Sequence, residues 1–152
     1  METILKRTDS TDPDFQYLIT LLDQNLNERY GDLQATYDTH NVIPYIGTVV
    51  LAYRDNQPVG CGCFKAFDGQ SVEVKRMFVH PGARGNGVAS LILTELEKWA
   101  AAEGYTYTVL ELGNKQPEAI GLYQKLGYGP IENYGPYIDM PTSICMRKTI
   151  ER

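Results

Sequence analysis

A strand-like run, Ser71 to Val79, ends in the loop His80-Pro81-Gly82-Ala83-Arg84-Gly85-Asn86-Gly87 and passes directly into a helical run. This unit constrains the chain more than any other stretch. Glycines at such a junction let successive backbone N–H groups turn toward one point, and the helix that opens behind them adds the positive end of its dipole. A nest of this kind binds phosphate or pyrophosphate. Arg84 stands at its lip and adds a charged contact. An ordinary strand-to-helix turn is the plainer alternative.

The rest of the chain arranges itself around that unit. Ile4 to Thr8 reads as a short strand. Asp12-Pro13 supplies a helix start, with a side-chain acceptor at the cap and a proline whose missing N–H costs nothing in the first turn. Phe15, Leu18, Ile19, Leu22 and Leu26 follow at helical spacing. The stretch Tyr30 to Thr39 fits either a short helix or a loop. Thr48 to Tyr53 and Val59 to Phe67 read as hairpin arms around the turn Asn56-Gln57-Pro58, and Asp68-Gly69 turns the chain into Ser71–Val79. Beyond the loop, Val88, Leu91, Ile92, Leu96, Trp99 and Ala100 mark a helix stopped by Gly104. Tyr107 to Leu112 then reads as a strand, Pro117 to Leu126 as a helix stopped by Gly127, and Ser143 to Lys148 as the last strand. A meander followed by strand, helix, strand, helix and strand predicts one domain, residues 1–152, of α/β (α+β) class. Its sheet is expected to be mixed and mostly antiparallel, with about six or seven strands and helices on both faces.

Composition narrows the partners. With 14 Lys and Arg against 19 Asp and Glu, the net charge is −5 and the cations are scattered. That argues against the dense basic footprint of a nucleic-acid binder. Charges in METILKRTDS interrupt the apolar run that a signal peptide needs, and no apolar stretch is long enough to span a bilayer. A cytoplasmic protein without a membrane partner is expected. Cys61 and Cys63 lie on one face of one strand, where two side chains rarely meet bridge geometry. No second Cys/His pair completes a zinc site around them, so reduced thiols, Cys145 included, and no metal are expected. The oligomeric state stays open, a homodimer included.

The phosphate ligand is the next question. Gly85-Asn86-Gly87-Val88-Ala89-Ser90 half-matches the dinucleotide pattern G-x-G-x-x-G/A, and Glu111, at the end of the following strand, could serve as the ribose-binding acid of a dinucleotide-dependent oxidoreductase. Against this, the loop after Val79 is too long for the tight dinucleotide turn, and the strands before it form a meander. No Gly-Lys-Ser/Thr is present for a nucleoside-triphosphate loop.

The run Arg84-Gly85-Asn86-Gly87-Val88-Ala89 resembles the R/Q-x-x-G-x-G/A motif of the GNAT superfamily of acyl-CoA N-acyltransferases. Downstream, Ala119-Ile120-Gly121-Leu122-Tyr123-Gln124-Lys125-Leu126-Gly127-Tyr128 resembles that family's second motif, A-x-x-L-Y-x-x-x-G-F/Y. Order and spacing agree, and the resemblance covers essentially the whole chain. It implies an N-acetyltransferase that moves an acetyl group from acetyl-CoA to a primary amine of a small molecule or peptide by direct attack in a ternary complex. A catalytically silent acyl-CoA sensor would share the same motifs.

The resemblance implies roles residue by residue. The loop amides of Arg84, Gly85, Asn86, Gly87, Val88 and Ala89 would hold the pyrophosphate, and the strand end Met77, Phe78 and Val79 would offer backbone groups to the pantetheine arm. Tyr123 is the family's usual general acid; a packed helix aromatic is its plain reading. Glu73 and Glu111 are candidate bases, with Glu73 placed slightly first, and a base relayed through water is equally compatible. The plain readings are a solvent-facing Glu73 and a Glu111 paired with Lys115 or another cation. Where many members carry Asn, this chain has Gln116, with Asn114 two residues earlier as the other amide. Alternation places Arg76 on the face of Val72 and Val74, and a bulge near Lys75-Arg76 would relieve this and splay the strand from Tyr107–Leu112; an Arg exposed at a strand end is the plain alternative. Tyr128 to Met140, with Tyr134 and Tyr137, resembles a flexible aromatic lid and equally suits a plain loop over the sheet edge, and Asn25 to Ile46 and Tyr134 to Thr142 are expected to shape the acceptor pocket.

Overall fold

The computed structural model describes residues 2–30 and 45–150. Its strands are β1 (Ile4–Thr8), β2 (Val49–Arg54), β3 (Gln57–Ala66), β4 (Ser71–Val79), β5 (Tyr107–Gly113), β6 (Gly129–Ile131) and β7 (Ser143–Thr149); its helices are α1 (Pro13–Tyr30), α2 (Val88–Ala102) and α3 (Pro117–Lys125). They form one sheet of 7 strands in the order β1-β2-β3-β4-β5-β7-β6. Every neighbouring pair is antiparallel except β4 and β5, which run parallel. The mixed sheet with helices on both faces matches the expectation from sequence. The ambiguous stretch that follows Tyr30 lies outside the described residues.

Side-chain alternation builds two apolar layers. Asp12 caps α1, its carboxylate accepting the Asp14 N–H at 2.9 Å. Phe15, Leu18 and Leu22 of α1 then pack on Val49, Leu51, Cys61 and Cys63. The intervening residues Val50, Ala52 and Phe64, with Val72 and Val74 of β4, face the other way onto Ile92, Leu93 and Leu96 of α2. No helix among the described residues is long and apolar enough to cross a membrane.

Two local readings are corrected. The β2–β3 turn is the pair Asp55-Asn56, both at positive φ (50° and 63°), with Arg54 opposite Gln57. Short polar side chains tolerate that conformation, so the turn sits earlier than Asn56-Gln57-Pro58 and Pro58 enters the strand opposite Tyr53. β6 was not anticipated: it is three residues long and contains Pro130.

The expected irregularity in β4 is present. Cys63 pairs with Lys75 and Cys61 with Phe78, so Arg76 and Met77 together oppose Gly62. Arg76 has φ 59°. The bulge brings Met77 close to β3, where a Cβ at Gly62 would run into Met77 Sδ, Ile92 and Leu96. Two carbonyls at the bulge are met by thiols, Cys63 Sγ donating to Lys75 O and Cys61 Sγ to Arg76 O, each at 3.3 Å. Burial raises both thiol pKa values, that of Cys63 to about 12, so they remain protonated donors. All three cysteines are free and buried. Beyond the bulge β4 leaves β5: the parallel register covers only Ser71–Val74 against Tyr107–Leu110. The central strands are splayed.

Candidate active site

A cleft of about 390 Å³ lies between the end of β4, the glycine loop and α3. Gly85 and Gly87 have φ of 82° and 77°, a conformation that suits glycine. Gly87 caps α2 without any side-chain bond to its first amides. Those N–H groups therefore have neither an intrahelical acceptor nor a side-chain cap. Asn86 supports the turn from within, Nδ2 donating to Ala83 O and Arg84 O at 3.3 Å each. Arg84 braces the loop on the strand end, Nε donating to Val79 O at 2.8 Å. A second cation approaches from β2, Arg54 Nη2 donating to Asn86 O at 3.5 Å.

Of the residues selected from sequence, Met77, Phe78, Val79, Arg84, Gly85, Gly87, Val88, Ala89, Gln116 and Tyr123 line this one cleft. Asn114 is exposed and not among the lining residues, and its N–H donates to Thr142 O at 2.8 Å. Leu22 and Lys125 also line the cleft and were not foreseen. Leu22 reads as a core position of α1, and a single lysine on a helix carries no signal of its own. Tyr123 is buried with its ring edge-on to Tyr128 at 5.7 Å. Burial lifts its pKa well above the ordinary tyrosine value, so the hydroxyl stays protonated.

The two carboxylates occupy the opposite face of the sheet, on either side of the parting strands. Glu73 is buried, not solvent-facing; it accepts the Tyr134 hydroxyl at 2.9 Å, and Lys65 Nζ stands 3.9 Å away. Glu111 accepts the Ser143 hydroxyl at 2.8 Å. Its burial pushes the pKa from 4.5 to about 7, against the opposing pull of that hydrogen bond and of Lys75. Lys75 shares this face, because it follows Glu73 by two residues on the strand. It is buried, its Nζ lies 3.4 Å from the Tyr137 hydroxyl, and burial lowers its pKa. Lys75 and Ser143 were missed from sequence, although a polar residue at every second position of VEVK was signal enough for the lysine.

The aromatic stretch packs through hydrogen bonds onto the end of β7. Tyr137 is buried in a 3-10 turn, Gly135–Tyr137, where Asn133 Nδ2 bonds both Tyr137 O and Ser143 O at 3.1 Å. Tyr128 belongs to the core on the α2 side, its hydroxyl 2.7 Å from Thr108 Oγ1 and 2.8 Å from Glu97. Among the described residues no cluster of His, Cys, Asp and Glu could hold a metal ion.

The profile of the Acetyltransferase (GNAT) family matches residues 13–128. An IAA acetyltransferase of Azospirillum brasilense is 38% identical over 102 residues, covering 66% of this chain and 67% of its own. A solved structure bearing the name of an acyl-CoA N-acyltransferase from Klebsiella pneumoniae superposes with a TM-score of 0.81 at 28% identity, over 97% of both chains. A GNAT family acetyltransferase from Elizabethkingia anophelis, solved with acetyl-CoA bound, shares the fold at a TM-score of 0.71 and 20% identity, over 97% of this chain and 98% of its own.

Proposed function

Because the chain belongs to the GNAT family of acetyltransferases, we propose that it transfers an acetyl group from acetyl-CoA to a primary amine by direct attack in a ternary complex. One observation carries this reading: β4 parts from β5 where the nest-lined cleft reaches the strands, and two carboxylates, buried Glu73 and half-buried Glu111, stand on the far face of the same parting. Acetyl-CoA supplies the acetyl group activated as a thioester. The α2 amides from Val88 onward, with Arg84 and Lys125 nearby, suit its pyrophosphate. Past Val74, β4 has no β5 partner, so the backbone groups between Met77 and Val79 that are not already bonded to β3 or, at Val79 O, to Arg84 are open to an extended arm and to a developing oxyanion.

An acceptor amine is an ammonium at neutral pH and must lose a proton before attack. Glu111, poised near 7, is matched to that task, whereas the Glu73 carboxylate is engaged by Tyr134 and Lys65. These contacts favour Glu111 over Glu73 as the base, the reverse of the order suggested by sequence. Tyr123 serves the departing sulfur. An ordinary thiol is more acidic than tyrosine, so complete proton transfer to a free thiolate is uphill. The buried hydroxyl instead acts as a hydrogen-bond donor while charge develops on the sulfur.

Acetyl-CoA should raise the melting temperature by mass action. Tyr123→Phe should keep that shift yet lose roughly 10²–10³-fold in kcat, the cost of one donor aimed at developing charge. A melting shift without release of CoA thiol, across a broad amine panel, would establish a silent sensor instead. Wild-type kcat in Tyr123→Phe would reduce that residue to a core aromatic.

A further inference from the structure

The parallel ladder of β4 and β5 ends at the rung Val74–Leu110. The next residues on the two strands are Lys75 and Glu111, which form the lips of the opening between them. Val74 and Leu110 belong to the core beneath α2, so alternation turns both successors to the other face. The register agrees: Lys75 lies opposite Cys63, which packs under α1, and Glu111 opposite Cys145, which packs with Tyr137. The bulge begins directly after Lys75, and two residues on, Met77 already lines the cleft.

Lys75 is 9% exposed and so is largely shut off from bulk solvent. On the α2 side of the sheet, Lys148 is met by the Glu97 carboxylate at 2.9 Å. Lys75 Nζ meets a neutral group instead, the Tyr137 hydroxyl, at 3.4 Å, which is long for a hydrogen bond. Glu73 and Glu111 attract it at longer range, and burial opposes them by lowering its pKa. Burial thus favours the uncharged amine, the form that attacks a carbonyl. A desolvated amine beside a carboxylate poised near 7 is the pair that an acetyl transfer uses.

We propose that Lys75 is an internal acetyl acceptor: with acetyl-CoA in the cleft and no substrate amine beside Glu111, the enzyme acetylates this lysine of its own chain. The inference rests on the acetyltransferase reading above and adds a modification site to it. A thioester held along Met77 to Val79 reaches the far face between the two lips, and the flexible four-carbon stem lets Nζ swing from Tyr137 toward it. Glu111 takes one proton from the Lys75 ammonium. The freed lone pair forms a C–N bond to the acetyl carbonyl carbon, and the C–S bond breaks with its electron pair on sulfur. A second nitrogen proton, released as the amide forms, neutralises the thiolate, and the third stays on the amide. Acetylated Lys75 and CoA thiol result, and Glu111 returns its proton to water. The amide is uncharged and does not pass the acetyl group on, so a modified chain has a filled lip and lacks the Lys75 charge beside Glu111.

The test incubates the native protein with acetyl-CoA and no added amine, and follows acetylation by intact mass and peptide mapping. Exposed Lys6 and Lys98 record the uncatalysed background. Lys75 should be acetylated at least about 10²-fold faster than either, the lower end of what a positioned base contributes. The rate should not change with protein concentration, because the transfer stays within one chain. Glu111→Gln should slow labelling of Lys75 by a similar factor and leave Lys6 and Lys98 unchanged, and in urea the preference for Lys75 should vanish. Melting curves with CoA, which lacks an acetyl group to transfer, report folding and donor binding for each protein. Labelling of Lys75 no faster than the background, labelling that rises with protein concentration, or labelling that Glu111→Gln leaves unchanged overturns the proposal. In each of those cases a CoA-dependent melting shift leaves the donor site standing. If neither CoA nor acetyl-CoA shifts the melting of the native protein, the acetyltransferase reading falls and this inference with it.

Discussion

Two glutamates, buried Glu97 and half-buried Glu111, show how differently one residue type is used on the two faces of this sheet. Glu97, on the α2 side, is met by Lys148 Nζ at 2.9 Å and by the Tyr128 hydroxyl at 2.8 Å, and that hydroxyl continues to Thr108. Cation, carboxylate and hydroxyls close on one another. Glu111, on the α1 side, has one hydroxyl within hydrogen-bond distance, while Lys75 and Glu73 act on it with opposite signs at longer range. A closed network stabilises; an incompletely compensated carboxylate is driven toward taking a proton. The difference sets the carboxylate proposed as the base apart from one held in a closed polar cluster.

The comparison breaks most visibly in turnover. Glu111→Gln should lower kcat/KM by roughly 10²–10⁴-fold, the range for a positioned base. In the native enzyme kcat/KM should climb with pH to a break near 7, and the variant should lose that break. A full-rate Glu111→Gln, with the break intact, would return the base to Glu73 or to a water relay.

Stability sharpens the same contrast. Because the folded-state pKa of Glu111 is raised from 4.5 to about 7, the folded chain holds this proton more tightly than the unfolded one, and stability is lost as pH rises through that window. At about 1.4 kcal/mol per pH unit the cost approaches roughly 3 kcal/mol above pH 7. Glu111→Gln should therefore be more stable than the native protein at pH 8, with the gain vanishing near pH 4. Glu97→Gln should do the opposite at pH 8, destabilising by roughly 1–3 kcal/mol through loss of a charged hydrogen bond. Urea denaturation at the two pH values reads both; the same sign for the two variants at pH 8 would erase the distinction drawn here. The smallest effect belongs to Tyr134→Phe, which removes one donor from Glu73. It should cost about 1 kcal/mol of stability and leave the pH break where it is.

Regular alternation and glycine-bounded junctions made most of the fold legible. β1 and β4 keep the bounds read from sequence, and the bulge within β4 was readable because Arg76 would otherwise fall among Val72 and Val74. What escaped was set by distance in the chain. The Ser143–Glu111 bond joins strands that only the fold brings together, and nothing local marks Ser143. Asn114 and Gln116 could not be separated by type, since which amide reaches the cleft depends on how β5 hands over to α3. Cys61 and Cys63 read as inert core thiols, and their bonds to the bulge carbonyls depend on the register of β3 against β4.

The parting of β4 from β5 also creates an edge in the middle of a sheet. Exposed edges invite pairing with other chains, and outer strands usually discourage it. β1 carries half-exposed Lys6 and Arg7, and β6 is short and holds a proline. The inner edge from Met77 to Val79 is apolar and carries none of these devices; it is recessed behind the glycine loop and α3 instead. Its protection is steric, so a slim ligand arm fits where a protein strand does not. A substitution that loosens α3 should therefore expose an aggregation-prone strand at the heart of the fold, and occupancy of the cleft would guard the protein against self-association.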